Sequence, residues 1–379
     1  MALLLVMVAA AGGLLGAGWH YSEQVLTPGG GALPDDRARV LRAGRETVLL
    51  ERTADSARPG VFGLRFDDSA GRPGYALVGP PVIEQDAVRR PVRPVTGQAD
   101  EAASVLFDDA YFPDDPQSAF EFPLVEVEIE GPLGTYPAYL DDRGSDTWVV
   151  FVHGRGAQRR EGFRMLSVLH DLDLTTLLIS YRNDPGAPAS PDGRYGLGST
   201  EWRDVQAAVR HALDAGAKRI VLAGASTGGV IGAMFLHEAP EAKAVAGVIW
   251  DAPVLDWGPV LRRAAVERGL PVPLTRVAMA VAQARGIPWA QLDVVRRSGE
   301  LARPALIFHG SEDRTVPLAT SRALAAARPE LVTLLEVPGA GHVQAWNVDP
   351  RAYAEAITTW LREVGVTAGT LDGALLPAA

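Results

Sequence analysis

Residues 219–230 have the sequence RIVLAGASTGGV, an apolar run followed by Gly-x-Ser-x-Gly and then by small and apolar residues. This arrangement is typical of a nucleophile elbow, in which a serine stands on a strained turn between a strand and a helix. Ser226 is that serine, and Gly224 and Gly228 flank it where a Cβ would block close packing of strand and helix. With 40 glycines in the chain, the five residues alone carry little weight, so the prediction depends on their strand-to-helix context.

A serine hydroxyl needs a base within hydrogen-bond reach, and the base needs a partner that orients it. Two downstream loops supply candidates: EVPGAGHVQ at 336–344 contains His342, and HGSEDRTVP at 309–317 contains Asp313. The chain order of serine, aspartate and histidine is the order expected for a triad built on such an elbow. We therefore predict Ser226 as nucleophile, His342 as general base and Asp313 as its orienting carboxylate.

A fourth motif, FVHGRG at 151–156, is again an apolar strand followed by a tight glycine turn. In this position the backbone N–H of Arg155 or of Gly156 can point, together with that of Thr227, at the oxygen that becomes negative in a tetrahedral intermediate. We predict an oxyanion hole formed by the backbone amides of Arg155 and Thr227.

Other polar residues have simpler explanations. Asp251, with Asp256 behind it, is the alternative acid, although a turn or helix-cap role is the more economical interpretation. His153 and His309 precede glycines at predicted strand ends and are interpreted as packed structural histidines. Four charged residues are interpreted as a surface or loop-fixing network: Arg182, Asp184, Glu201 and Arg203.

After Phe122 short apolar runs alternate with amphipathic helical segments, which predicts an α/β catalytic domain over 123–365 with a mostly parallel sheet and helices on both faces. Between 253 and 303 the pattern is helical without a strand, so we predict a cap there. Residues 366–379 form a C-terminal tail. The predicted strands are 125–130, 136–140, 147–152, 175–180, 219–223, 246–251, 305–308 and 332–337.

The first third of the chain has a different pattern of apolar and polar residues. Residues 2–18 carry no charged side chain and precede Trp19, so 1–21 is predicted as a membrane anchor, with a cleaved signal or a soluble N-terminal helix as alternatives. The anchor places the catalytic domain outside the cytoplasm, and a cleaved signal would make it secreted. Residues 22–45 are predicted as a linker. Short strand-like runs separated by turns predict a small β-rich accessory region over 46–122.

Composition excludes several kinds of function. The net charge of −10 and the absence of a basic cluster argue against nucleic acid as a partner. Cysteine is absent, which removes disulfides and thiolate chemistry, and no pair of histidines has the spacing of a zinc-protease motif. We expect no cofactor and no metal, and a small acyl compound as substrate.

The motifs HGRG, GASTGG, HGSEDRTVP and GAGHVQAWN together resemble the α/β-hydrolases, in particular membrane-associated bacterial members, over about residues 122–365. The resemblance implies a central eight-stranded sheet, a helical cap and acyl-enzyme chemistry. Its main implication is a carboxylic-ester hydrolase. A peptidase or acyltransferase would use the same residues, and a non-catalytic envelope protein on this scaffold is a further alternative.

Overall fold

The described residues form two β-sheets, one before and one after position 122. The computed structural model describes residues 2–29 and 37–366, and the side chains of 2–11 are not described. The predicted tail, 366–379, lies outside the described residues from position 367 onward.

The smaller sheet is an antiparallel barrel. Its strands run in the order β2-β1-β7-β3-β4-β6-β5, and an additional pairing of β2 with β6 closes six of them into a ring, which protects their edges. Apolar side chains such as Val40, Leu50 and Leu64 fill the interior. The strands are β1 (Arg37–Ala43), β2 (Thr47–Glu51), β3 (Phe62–Asp67), β4 (Pro73–Val78), β5 (Val82–Ile83), β6 (Ala87–Thr96) and β7 (Ser104–Asp108).

The barrel confirms the β-rich accessory region but corrects its start. Strand β1 lies inside 22–45, where the sequence predicted a linker, because the alternation of Ala38 and Val40 is short enough to pass for an irregular segment. Both side chains are almost completely buried. The region therefore begins at Arg37, nine residues before the predicted start at residue 46.

Arg90 is fully buried in the barrel, and no carboxylate among the described residues pairs with it. The guanidinium of Arg90 donates to the carbonyl oxygens of Ser56 at 3.0 Å, Gly60 at 2.9 Å and Gly79 at 2.7 Å, and also to that of Arg58. Because its planar fork presents several donors in fixed directions, one side chain can bind several backbone carbonyls. Arg90 therefore joins the loops at one end of the barrel.

The larger sheet has eight strands in the order β15-β14-β13-β12-β10-β11-β9-β8. Strand β9 pairs antiparallel with both of its neighbours, whereas all pairs from β11 to β15 are parallel. This agrees with the mostly parallel sheet predicted from the sequence. Its strands are β8 (Val125–Gly131), β9 (Gly134–Asp141), β10 (Thr147–Val152), β11 (Thr175–Ile179), β12 (Arg219–Ala225), β13 (Val245–Asp251), β14 (Ala305–Gly310) and β15 (Val332–Val337).

Helices cover both faces of this sheet, and two of them, α6 and α7, form the predicted cap between β13 and β14. The final helix begins as predicted, since Asp349 accepts a hydrogen bond from the Ala352 N–H at 2.9 Å and caps it. The helices after the barrel are α2 (Pro116–Ala119), α3 (Phe163–Asp171), α4 (Trp202–Asp214), α5 (Thr227–Glu238), α6 (Trp257–Glu267), α7 (Val272–Ala284), α8 (Leu318–Ala327), α9 (Ala345–Val348) and α10 (Pro350–Glu363).

A 25-residue helix, α1 (Ala2–Leu26), occupies the segment predicted as a membrane anchor. Among the described residues, no helix combines the length and the apolar character that crossing a bilayer requires. This finding does not support the predicted membrane helix over 1–21. In the second half of α1, Ser22 is buried and Glu23 forms an ion pair with Arg285, just after α7. The predicted position outside the cytoplasm stays a prediction.

Candidate active site

Ser226 stands between strand β12 and helix α5 in a conformation that non-glycine residues seldom adopt, with φ 51° and ψ −115°. Its neighbours make the turn possible. A Cβ on Gly228 would lie 2.1 Å from the carbonyl oxygen of Val152 on the adjacent strand β10, and one on Gly224 would lie 2.9 Å from the backbone of Gly228. Both positions therefore require glycine, and the turn has the geometry of a nucleophile elbow.

The structure brings the three predicted residues together. His342 lies in the loop between β15 and α9, with its Nε2 2.9 Å from Ser226 Oγ. Its Nδ1 lies 2.8 Å from Oδ2 of Asp313, and Asp313 is in the loop that follows β14. The three loops meet because β12, β14 and β15 are parallel and present their carboxyl ends at the same edge of the sheet. A hydroxyl, an imidazole and a carboxylate thus form one continuous hydrogen-bonded chain.

The electrostatics around the three hydrogen-bonded side chains favour proton transfer to the imidazole of His342. Burial acts to raise the pKa of Asp313, but hydrogen bonds from His309, His342 and the Val316 N–H together hold it well below its usual range. For His342, burial acts to lower the pKa, and the hydrogen bond and charge of Asp313 more than offset that effect, so the pKa is raised above 6.5. Asp313 is therefore an anion, and an anion in contact with His342 favours the protonated form of that imidazole.

The predicted oxyanion-hole residues lie beside Ser226. Thr227 is the first residue of α5, whose leading N–H groups have no acceptor within the helix. Arg155 follows Gly154, and a Cβ on Gly154 would lie 3.0 Å from Ser226 Cβ, which shows how closely this loop approaches the elbow. Arg155, Ser226, Thr227 and His342 line the same cavity. The two residues predicted to form the oxyanion hole thus border the same space as Ser226 and His342.

That cavity has a volume of about 350 Å³, within the range of small-molecule sites. Apart from its reactive end, it is mainly apolar, because α6 contributes Val260 and Leu261 and α7 contributes Leu274 and Ala278. Helix α1 forms another part of the wall with Tyr21, Ser22, Gln24 and Val25.

A second, polar cavity of about 610 Å³ touches His342 from another side. Its lining comes from β9, from the loop after β10, from the turn before α3 and the start of α3, from the segment that follows the barrel, and from the loop that carries His342. These residues include Asp109, Asp114, Tyr139, Gln158, Arg159, Arg160, Glu161 and Arg164. His342 therefore lies between an apolar and a polar space.

The alternative acid, Asp251, ends strand β13 beside the elbow, and its carbonyl oxygen accepts the Ser226 N–H at 2.9 Å. Its side chain is buried, and Oδ1 has no hydrogen-bond partner among the described residues. Burial raises the pKa of Asp251 to about 7. The nitrogen of His342 that it would have to orient is bonded to Asp313 instead. Asp256 caps α6 through the Gly258 N–H at 2.8 Å, as the helix-cap interpretation predicts.

His153 and His309 are both completely buried, in agreement with a structural role. His153 contacts Asp184 Oδ2 at 2.7 Å and the Gly154 carbonyl at 2.8 Å, so it braces the loop that carries Arg155. His309 contacts the Val316 carbonyl and lies 3.4 Å from Asp313 Oδ2, so it also supports the carboxylate.

The predicted charge network fixes loops, but most of it is buried rather than on the surface. Arg182 forms a two-point ion pair with Asp204, and Glu201 accepts the backbone N–H groups of Gly196 and Gly198. Among the described residues, no group of three or more His, Asp or Glu side chains is arranged to hold a metal ion.

Two residues at the site, Glu161 and Arg164, could not be identified as site residues from any sequence motif. Glu161 Oε2 accepts the Gly154 N–H at 2.6 Å, and its charge contributes to the raised pKa of His342. The buried Arg164 donates to the Val343 carbonyl at 2.6 Å and to Asn347 Oδ1 at 2.7 Å, which fixes the loop beside His342. Both lie outside the four motifs, and only the folded chain brings them to these loops.

The elbow, the hydrogen-bonded chain of three side chains and the capped eight-stranded sheet define a class of protein, and comparison with known families agrees. The family described as "Alpha/beta hydrolase family" matches residues 149–356, more than half of the chain. The chain belongs to the alpha/beta hydrolase family and is an enzyme of that family. A family described as "Domain of unknown function (DUF8805)" matches residues 39–108, which cover most of the barrel.

Individual relatives are more distant. An uncharacterised protein of Mycobacterium tuberculosis is 26% identical over 251 residues, covering 64% of this chain and 79% of that protein. Among solved structures, an esterase of Pyrococcus furiosus superposes with a TM-score of 0.54 at 19% identity, covering 66% of this chain and 97% of the esterase. At this identity the likeness shows the fold. A second crystal form of the same esterase has a TM-score of 0.55.

Proposed function

We propose that this chain is a serine hydrolase that cleaves a carboxylic ester, with Ser226 as nucleophile, His342 as general base and Asp313 as orienting carboxylate. One observation carries the proposal: Ser226 Oγ, His342 and Asp313 are joined by contacts of 2.9 and 2.8 Å beside an apolar cavity. The family membership and the similar fold of the Pyrococcus furiosus esterase support it.

In the first half of the reaction, Ser226 Oγ attacks the acyl carbon while its proton passes to His342 Nε2. The carbonyl oxygen becomes negative and accepts hydrogen bonds from the backbone amides of Arg155 and Thr227. Asp313 stabilises the imidazolium and keeps its Nδ1 proton directed at the carboxylate. The C–O bond to the alcohol then breaks, the alcohol leaves with the proton from His342, and the acyl group stays on Ser226.

In the second half, a water molecule gives its proton to His342 and attacks the acyl carbon, which releases the acid and restores the Ser226 hydroxyl. The two cavities suit the two parts of an ester. The apolar cavity that contains Ser226 suits the acyl chain, and the polar cavity that touches His342 lies where an alcohol must collect its proton.

Labelling with a fluorophosphonate tests the nucleophile, because this reagent phosphonylates an activated serine. We expect one label, which mass spectrometry places on Ser226, and none on Ser226→Ala. The matched control is Ser104→Ala, since Ser104 is an exposed residue of strand β7 in the barrel and should not affect labelling. Folded wild-type protein that takes up no label would favour the non-catalytic alternative.

The turnover rates of two matched substrates test which type of acyl bond the enzyme cleaves. We expect hydrolysis of a p-nitrophenyl ester, with Ser226→Ala retaining less than about a tenth of the wild-type rate. A p-nitroanilide with the same acyl group separates an ester hydrolase from a peptidase. Faster cleavage of the anilide would contradict the ester proposal while leaving the nucleophile in place.

A further inference from the structure

Helix α1 lies against the catalytic domain although the barrel separates them in sequence. At Gly18 it approaches α7 so closely that an added Cβ would lie 2.7 Å from Val277 Cγ1. Arg285, which follows α7, donates to Ser22 Oγ at 2.8 Å, pairs with Glu23, and stacks its guanidinium 4.3 Å from the centre of the Trp19 ring. One side of α1 is therefore fixed to the cap.

The end of α1 is also fixed to the part of the catalytic domain outside the cap, here called the base of the domain. The Leu26 carbonyl accepts the Tyr195 N–H at 2.7 Å, and Leu26 is 1% exposed. The Gln24 carbonyl accepts a hydrogen bond from Arg155 Nη2 at 2.8 Å. Arg155 lies in the loop beside the elbow, so α1 is bonded directly to a residue of the candidate active site.

Between these two attachments α1 faces the apolar cavity, where Tyr21, Gln24 and Val25 line the same space as Ser226 and His342. Three walls thus come from α6, α7 and the base of the domain, and α1 supplies another. A side chain on α1 that points into this space must limit how much of a substrate chain fits beside the serine.

We propose that the second half of α1 is part of the active site and that Val25 and Tyr21 determine the length of acyl chain the enzyme accepts. The proposal rests on the ester hydrolysis proposed above and adds its substrate class: esters of straight apolar acids. The cavity of about 350 Å³ is mainly apolar and is bordered on one side by α1, so it suits an apolar acyl chain whose length α1 limits.

The test measures kcat/KM of the full chain for p-nitrophenyl esters from acetate to laurate. In the wild type, each methylene that enters the cavity should increase kcat/KM by up to about fourfold, until the space is full. Val25→Trp places a large ring in the cavity, so its optimum should move to shorter chains, with at least about a tenfold loss for the octanoate relative to the acetate. Val25→Ala should move the optimum in the opposite direction.

The matched control is Leu15→Trp, which adds the same ring to the same helix at a residue that is 60% exposed and does not line the cavity. Its chain-length profile should equal that of the wild type. Fluorophosphonate labelling of every variant confirms that Ser226 is still reactive, and Val25→Ala keeps the test decisive if Val25→Trp does not fold.

The outcomes separate this inference from the proposed function. Identical profiles for the wild type and both Val25 variants, with normal labelling of Ser226, would overturn the role of α1 while ester hydrolysis stands. An absence of both labelling and hydrolysis in the wild type would overturn both. A profile that shifts in opposite directions for tryptophan and alanine, with Leu15→Trp unchanged, would establish α1 as a wall of the active site.

Discussion

Replacing Asp313 by asparagine should cripple the enzyme through the tautomer of His342. Asp313 Oδ1 accepts two backbone N–H groups, from Thr315 and Val316, each at 2.8 Å. An asparagine can keep both bonds only with its oxygen in that place, which turns its NH₂ group toward His342 Nδ1. Because two donors cannot bond each other, the imidazole must place its proton on Nε2, facing Ser226, and can no longer accept the proton of the hydroxyl.

The expected decrease in kcat follows from the loss of His342 as general base. With the wrong tautomer and no buried anion to favour the imidazolium, we expect kcat to fall by about 10²–10⁴, which is roughly 3–5 kcal/mol in the barrier. KM should change much less, because Asp313 does not line the substrate cavity. The assay is steady-state hydrolysis of one p-nitrophenyl ester, with a thermal melt to exclude misfolding.

Asp251→Asn is the matched control, since it makes the same change in a buried carboxyl group one strand away. Its side chain does not contact the hydrogen-bonded nitrogens of His342, so we expect less than about a tenfold loss of kcat. If Asp251→Asn is the crippled variant and Asp313→Asn is nearly normal, the acid lies after β13 and the reasoning is refuted.

Three further predictions concern other parts of the molecule. Since Asp313 raises the pKa of His342, kcat/KM measured from pH 5 to 9 should rise with pH through an apparent pKa above 6.5, and a flat profile would contradict the histidine as base. Gly228→Ala should give little soluble or active protein because its Cβ would lie 2.1 Å from a backbone oxygen, whereas Gly299→Ala, with open space around it, should melt as the wild type does. Arg90→Lys should lower the free energy of unfolding, measured with urea, by at least about 2 kcal/mol, because a lysine leaves buried carbonyls without donors. The control Arg89→Lys, at an exposed position, should lower it by less than about 0.5 kcal/mol. Equal losses would show that the carbonyl contacts of Arg90 do not stabilise the barrel.

The fold and the triad geometry could be predicted because short segments specify them. Gly228 is required by the contact between a turn and the next strand, and a strand, a turn and a helix in succession are visible within twelve residues. Asp313 and His342 follow apolar strands in glycine-containing loops, so their meeting followed once the strands were taken as parallel. All eight strands of the larger sheet were predicted to within about two residues at each end.

The remaining features depend on contacts between distant parts of the chain. Arg164 bonds Val343, 179 residues further on, and nothing in the local sequence distinguishes it from a surface arginine. Strand β1 was missed because its buried alternation is short and because one of its two partner strands, β7, lies more than sixty residues away. Helix α1 was predicted from its apolar first half, whereas its position is determined by the polar second half and by Arg285. Local periodicity contains no information on such pairings.

The attachment of α1 also has a consequence for folding during synthesis. Ser22 and Arg285 are 263 residues apart, so at about 5–20 residues per second the ribosome needs roughly 13 to 50 s to produce the partner of a helix it has already made. The barrel can form in that interval because its strands pair among themselves. The face of α1 that contains Trp19 and Ser22 has no docking site until the cap and Arg285 emerge, so this part of the helix stays exposed in the nascent chain for that whole interval.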